Sequence, residues 1–120
     1  MQLSFIGGGT MAEAMIAGIV SQKLATPETI SVSEPIEERC RVLKDKYGVY
    51  TTTNNSKAAE RGTLVILAVK PQILPEVMIE LKGNLTDNQT IISIVAGTRL
   101  NSLIRGLGHD SVIRVMPNTP

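Results

Sequence analysis

A chain of 120 residues, 42% hydrophobic and 19% charged, is long enough for one domain that buries roughly 65% of its unfolded surface, which excludes intrinsic disorder. A formal net charge of +1, scattered basic residues and only three aromatics, Phe5, Tyr47 and Tyr50, exclude a nucleic-acid interface built on charge or base stacking. The single cysteine, Cys40, precludes an internal disulfide. With no cationic leader and no apolar run near ~18 residues, this predicts a soluble cytoplasmic protein without membrane association or a metal site.

The segment "QLSFI" (2–6) predicts a short buried strand and residues 10–22 a helix, with Ala12, Met15, Ile16 and Ile19 along one face. "TISVS" (29–33) predicts a second strand. It leads into a charged helix over 35–48, with Pro35 at its start and Gly48 as its C-terminal cap. "VYTT" (49–52) predicts a third strand, followed by a small helix through "SKAAERG", capped by Asn54 or Asn55. "TLVILAV" (63–69) is almost uninterrupted apolar sequence, as expected of a central parallel strand covered on both faces. A helix through about Leu81 follows, with Pro75 in its first turn. "TIISIVAG" (90–97), "RLNSLIRGLG" and "SVIRVM" (111–116) then predict strand, helix and strand. This alternation predicts an α/β fold: a doubly wound parallel sheet of about six strands, Rossmann-type, with its ligand crevice at the carboxyl ends of the strands.

Gly7, Gly9 and Ala12 stand where the dinucleotide fingerprint G-x-G-x-x-G/A requires them, between a strand and a helix. Gly7 allows the tight turn, Gly9 lets backbone approach a pyrophosphate, and Ala12 keeps the helix close to the sheet. The free N–H groups of Thr10 and Met11 then face the anion. A phosphate-binding P-loop is excluded, because no Gly-Lys-Ser/Thr closes the turn. At the end of the second strand, Ser33-Glu34-Pro35 lies near the offset at which a carboxylate contacts the adenine ribose. A carboxylate facing the ribose favours NAD. If Glu34 instead turns outward, Ser33 donates to a 2′-phosphate while Arg39 or Arg41 lends charge, and the sequence leans towards this tolerance of NADPH. Lys70 reads as a solvated lysine at a strand end, His109 as a surface histidine in a polar turn, and Cys40 as a packing residue.

The pieces "FIGGGTMAEAM", "VSEP", "LAVKPQ", "IVAGT" and "RVMPNTP" together resemble the amino-terminal domain of pyrroline-5-carboxylate reductases over residues 4 to 120. The resemblance implies that Ile6, Gly7, Gly8, Gly9, Thr10 and Met11 bind the pyrophosphate. It implies that Ser33 and Glu34 lie at the adenine ribose and that Asn55 contacts the adenosine side. Ala68, Val69, Lys70 and Pro71, with Val95, Ala96 and Gly97, would line the nicotinamide end. The implied cofactor is NADP(H), with NAD(H) also accepted, and Glu34 departs from an obvious phosphate-binding pattern. The implied substrate is 1-pyrroline-5-carboxylate, reduced to proline. The family's helical second half, which makes the dimer and most substrate contacts, is expected to be absent from this chain. No catalytic residue is assigned within 1–120, and the chain alone is expected to bind cofactor without turnover. Another β-hydroxyacid- or F420-linked oxidoreductase, or a non-catalytic dinucleotide sensor, would share the same Rossmann half.

Overall fold

The computed structural model describes residues 1–116; Pro117 to Pro120, the end of the "RVMPNTP" motif, lie outside the described residues. Six strands, β1 (Leu3–Ile6), β2 (Ile30–Ser33), β3 (Tyr50–Thr52), β4 (Leu64–Leu67), β5 (Thr90–Ser93) and β6 (Val112–Arg114), form one sheet. Its order is β3-β2-β1-β4-β5-β6 and every pairing is parallel. Five helices connect them: α1 (Thr10–Ser21), α2 (Glu37–Tyr47), α3 (Asn55–Glu60), α4 (Leu74–Leu81) and α5 (Leu100–Leu107). This is the doubly wound arrangement predicted from the alternation, with the strand order reversing between β1 and β4.

The sheet divides the core in two, because successive side chains of a strand point to opposite faces. Phe5, Val32 and Ile66 pack with Ile16 of α1 and Leu43 of α2 on one face. Ile6, Val65, Leu67 and Ile91 pack with Ala58, Leu74, Leu81, Leu103 and Leu107 on the other. Both central strands are therefore apolar on both sides, which is why 63–69 reads as a continuous run. In α1, Ala12 and Ile16 are fully buried while Met15 and Ile19 pack at the margin, as their spacing predicts.

Local sequence sets the helix ends. The Asn54 side chain, rather than Asn55, caps α3 by accepting from the Lys57 N–H at 3.0 Å. Gly48 ends α2 at φ +77°, donating to the Lys44 carbonyl at 2.8 Å. Glu37 and Glu38 in the first turn of α2, and Lys44 and Lys46 in its last, complement the helix dipole. Pro35 lies two residues before α2 rather than in its first turn, and residues 27–29 form a 3₁₀ turn that periodicity does not announce.

Two expectations are corrected here. β5 ends at Ser93 instead of continuing to Gly97, because the chain leaves the sheet there. The Ser93 hydroxyl accepts from the Val95 N–H at 3.3 Å, and Gly97 turns at φ +82°. His109 is not a surface residue: it is 9% exposed, with Nε2 donating to the Gln89 carbonyl at 2.7 Å. The left-handed Gly108, at φ +59°, reverses the chain after α5 and brings the ring against the start of β5. Cys40 is buried as expected. Its thiol donates to the Glu34 carbonyl at 3.2 Å, and burial raises its pKa, so it is a packing group and not a nucleophile.

Candidate functional site: a glycine cradle at the strand ends

Where β1 turns into α1, three consecutive glycines meet three different environments. Gly7 sits at φ +105°, and a Cβ built there would lie 2.6 Å from the Ala68 carbonyl oxygen. Its bareness is demanded by the neighbouring backbone, which is locked in place by the Ala68 N–H donating to the Ile6 carbonyl at 2.8 Å. A Cβ at Gly8 would meet Leu43 Cδ1 at 2.9 Å and Glu34 Cβ at 3.1 Å, so this glycine lets β2 and α2 come close. Gly9 is different. It has an ordinary φ of −81°, and a Cβ there would meet nothing within 4 Å.

Nothing in the fold requires Gly9 to be bare. It opens onto the space in front of α1, where the first-turn N–H groups of Thr10 and Met11 have no acceptor among the described residues. Unspent donors, the helix dipole and open space together suit a pyrophosphate. The residues present therefore fit a dinucleotide.

A cleft of about 350 Å³ opens at this turn, lined by Gly7, Gly8, Gly9, Glu34, Ala68, Val69 and Lys70 among others. An adjoining hollow of about 330 Å³ shares Gly7 and Val69 and is lined by Asn55, Thr53, Glu76 and Glu80. Asn55 Nδ2 donates to the Glu80 carboxylate at 3.3 Å. Ile6 is fully buried beneath the turn, Met11 is half-exposed at the start of α1, and Pro71 is exposed just past Lys70. Val95, Ala96 and Gly97 lie at the carboxyl end of β5, one strand further along. Val95 is packed into the core and Ala96 and Gly97 are exposed, and none of the three lines either hollow.

The end of β2 departs from the sequence expectation. Glu34 does not turn outward: Oε1 accepts from the Gly8 N–H at 3.2 Å and Oε2 from the Ile36 N–H at 3.0 Å. These two backbone donors hold the carboxylate at the cleft wall. Ser33, expected as a donor to a phosphate, is fully buried, with its hydroxyl unpaired inside the protein.

Arg39, expected to lend charge to a phosphate, is already engaged. Its Nε donates to the Gly8 carbonyl at 2.7 Å and its Nη2 to the Gly9 carbonyl at 3.3 Å and to Glu13 Oε1 at 2.7 Å. By holding those two carbonyls from behind, Arg39 orients the peptide planes of the turn.

Glu13 is the hub that holds Arg39. Its other oxygen accepts from the Tyr47 hydroxyl at 2.6 Å and from Lys46 Nζ at 3.0 Å. The Tyr47 hydrogen bond, then those of Lys46 and Arg39, lower its pKa to about 2. Sequence reasoning missed this brace of α1 against α2. The available signal was a lone acid in an otherwise apolar helix.

A lowered carboxylate pKa means that between about 2 and its ordinary value the unfolded chain binds more protons than the folded one. The stabilisation is complete above the ordinary range and is lost as pH falls through about 2. The expected result is that Glu13→Gln lowers the urea midpoint at pH 7 and flattens its decline between pH 5 and pH 2, compared with wild type. Parallel declines in the two proteins would show that Glu13 does not carry this pH dependence.

A family model described as NADP oxidoreductase, coenzyme F420-dependent, matches residues 2–97. The pyrroline-5-carboxylate reductase of Synechocystis sp. is 41% identical over 120 residues, covering 100% of this chain and 45% of that protein. The enzyme of the same name from Escherichia coli K12 is 34% identical, covering 99% and 45%. Among solved structures, a pyrroline-5-carboxylate reductase from Coxiella burnetii is similar at TM-score 0.91 and 35% identity, covering 99% of this chain and 44% of that one. A Plasmodium falciparum pyrroline carboxylate reductase with NADP bound is similar at TM-score 0.83 and 27% identity, covering 100% and 43%. The chain spans about 45% of the length of these curated relatives.

Proposed function

The chain belongs to the family described as NADP oxidoreductase, coenzyme F420-dependent, and from that premise we propose that it is the dinucleotide-binding part of an oxidoreductase that reduces 1-pyrroline-5-carboxylate to L-proline. The observation that carries this reading is the open space above Gly9, faced by the unspent N–H groups of the first turn of α1. The relatives that match over nearly all of this chain bear the name of that reductase. When bound, the reduced dinucleotide, NADP(H) or NAD(H), supplies the hydride delivered to the C=N carbon of the pyrroline ring.

The protein's own residues bind and orient. Gly9, Thr10 and Met11 hold the pyrophosphate against the helix N-terminus. Gly8 and Arg39 keep that turn in shape, and Glu34 and Asn55 meet the adenosine side. Ala68, Val69, Lys70 and Pro71, with Val95, Ala96 and Gly97 at the next strand end, present the nicotinamide side. Orientation of this kind is where a cofactor domain contributes most to rate. Protonation of the imine nitrogen, the substrate's own contacts and the homo-oligomeric assembly are assigned to sequence outside residues 1–120, and the longer protein to the cytoplasm.

The test is to follow nicotinamide absorbance with 1-pyrroline-5-carboxylate and each reduced dinucleotide, for the 120-residue chain and for a longer protein of the relatives' length. Substrate-dependent oxidation by the longer protein, and binding without turnover by the chain, are expected. No oxidation by the longer protein contradicts the proposed reaction. Turnover by the chain at a comparable rate places the substrate site within residues 1–120.

A further inference from the structure

We propose that the cleft discriminates against a phosphorylated adenine ribose, so that this chain prefers NADH to NADPH, and that Glu34 is the residue that sets the preference; this rests on the dinucleotide-binding reading above. The family description names NADP and the Plasmodium falciparum structure has NADP bound; the proposal rests on what the side chains at this chain's own β2 end offer. The Glu34 carboxylate is fixed at the cleft wall by the Gly8 and Ile36 N–H groups, at 3.2 and 3.0 Å. An ionised carboxylate is acceptor-only and has about four lone-pair sites. Two remain after those bonds, enough to receive the hydroxyls of an unmodified ribose but nothing from a phosphate.

A 2′-phosphate would bring about −1.5 to −2 charges to the same position, and Arg39, a cation able to offset them, is already committed. Arg39 is bound to the Gly8 and Gly9 carbonyls and to Glu13. Turning it towards a phosphate would release the glycine turn and leave the Glu13 carboxylate with a partner fewer. The adjoining hollow adds Glu76 and Glu80. Among the residues lining the two hollows, three are carboxylates and Lys70 is the one cation. Ser33, the neutral donor that a phosphate would use, is enclosed.

Calorimetric titration of the chain with NADH and with NADPH, at low and at moderate salt, tests this. NADH is expected to bind at least tenfold more tightly, with the gap narrowing as salt screens the repulsion. Glu34→Gln, which keeps the shape and removes the charge, is expected to bring the two affinities within about threefold, mainly by gain of NADPH binding. Glu34→Ser serves as a second variant should the first disturb the turn, and circular dichroism checks that each is folded. NADPH binding wild type as tightly as NADH overturns the proposal. An unchanged ratio in a folded Glu34 variant removes Glu34 as its cause. Failure of both dinucleotides to bind overturns the underlying reading as well, and is distinct from a loss of discrimination.

Discussion

Replacing Gly9 by valine is expected to lower dinucleotide affinity at least tenfold, about 1.4 kcal/mol, while leaving the domain folded. The two halves of this expectation have separate causes. At φ −81° the residue has no need of glycine's freedom, and a Cβ there meets nothing within 4 Å, so neither backbone strain nor a clash at Cβ opposes the substitution. The branched side chain instead occupies the space into which the Thr10 and Met11 N–H groups point. Calorimetry with NADH reads the affinity and a urea titration reads the fold. Unchanged affinity in the folded variant would mean that the open space is not where the dinucleotide sits.

Gly7→Ala is expected to do the reverse, costing roughly 2–4 kcal/mol of stability. Two penalties coincide there: a φ of +105°, and a Cβ placed 2.6 Å from a backbone carbonyl oxygen. The carbonyl belongs to Ala68, at the end of β4, which is hydrogen-bonded to β1, so it cannot yield without parting the two central strands. The Gly7 N–H also ties the turn to β2 through the Ser33 carbonyl at 2.9 Å. A shift of the urea midpoint measures the loss. A variant as stable as wild type would show that the turn relaxes more easily than its pairing implies. Two glycines of one turn, Gly7 and Gly9, with opposite expected phenotypes separate what the fold needs from what the ligand needs.

Much of this fold is written in local pattern. The apolar run at 63–69 reads as a strand covered on both faces, and the strand–glycine–helix sequence at 2–22 places the cradle before any contact is known. Strand ends are less legible, since hydrophobicity continues past the point where pairing stops. Val95 is as apolar as Ile91, yet it packs against the core from the loop after β5 rather than from the sheet. His109 shows the same limit: its neighbours in sequence are polar, but Gly108 sends the chain inward.

The candidate site divides in a similar way. The glycines carry their role in their spacing, whereas the direction of Glu34 depends on a backbone donor 26 residues away. The occupation of Arg39 depends on a carboxylate on another helix, also 26 residues distant. The Ile36 N–H that holds Glu34 Oε2 is local. No pattern in the β2–α2 segment alone specifies the Gly8 or Glu13 contact, because those partners come into reach only when α1 and α2 pack on the same face of the sheet.

The most direct test of the central claim, that the β1–α1 turn holds the dinucleotide by its pyrophosphate, is an amide-resolved NMR titration of this chain with NADH. The largest shift changes are expected at the Gly9, Thr10 and Met11 N–H groups, with secondary changes at Val69 and Lys70. Saturating NADH and NADPH that leave these amides unmoved, or that perturb α5 and β6 instead, would contradict it.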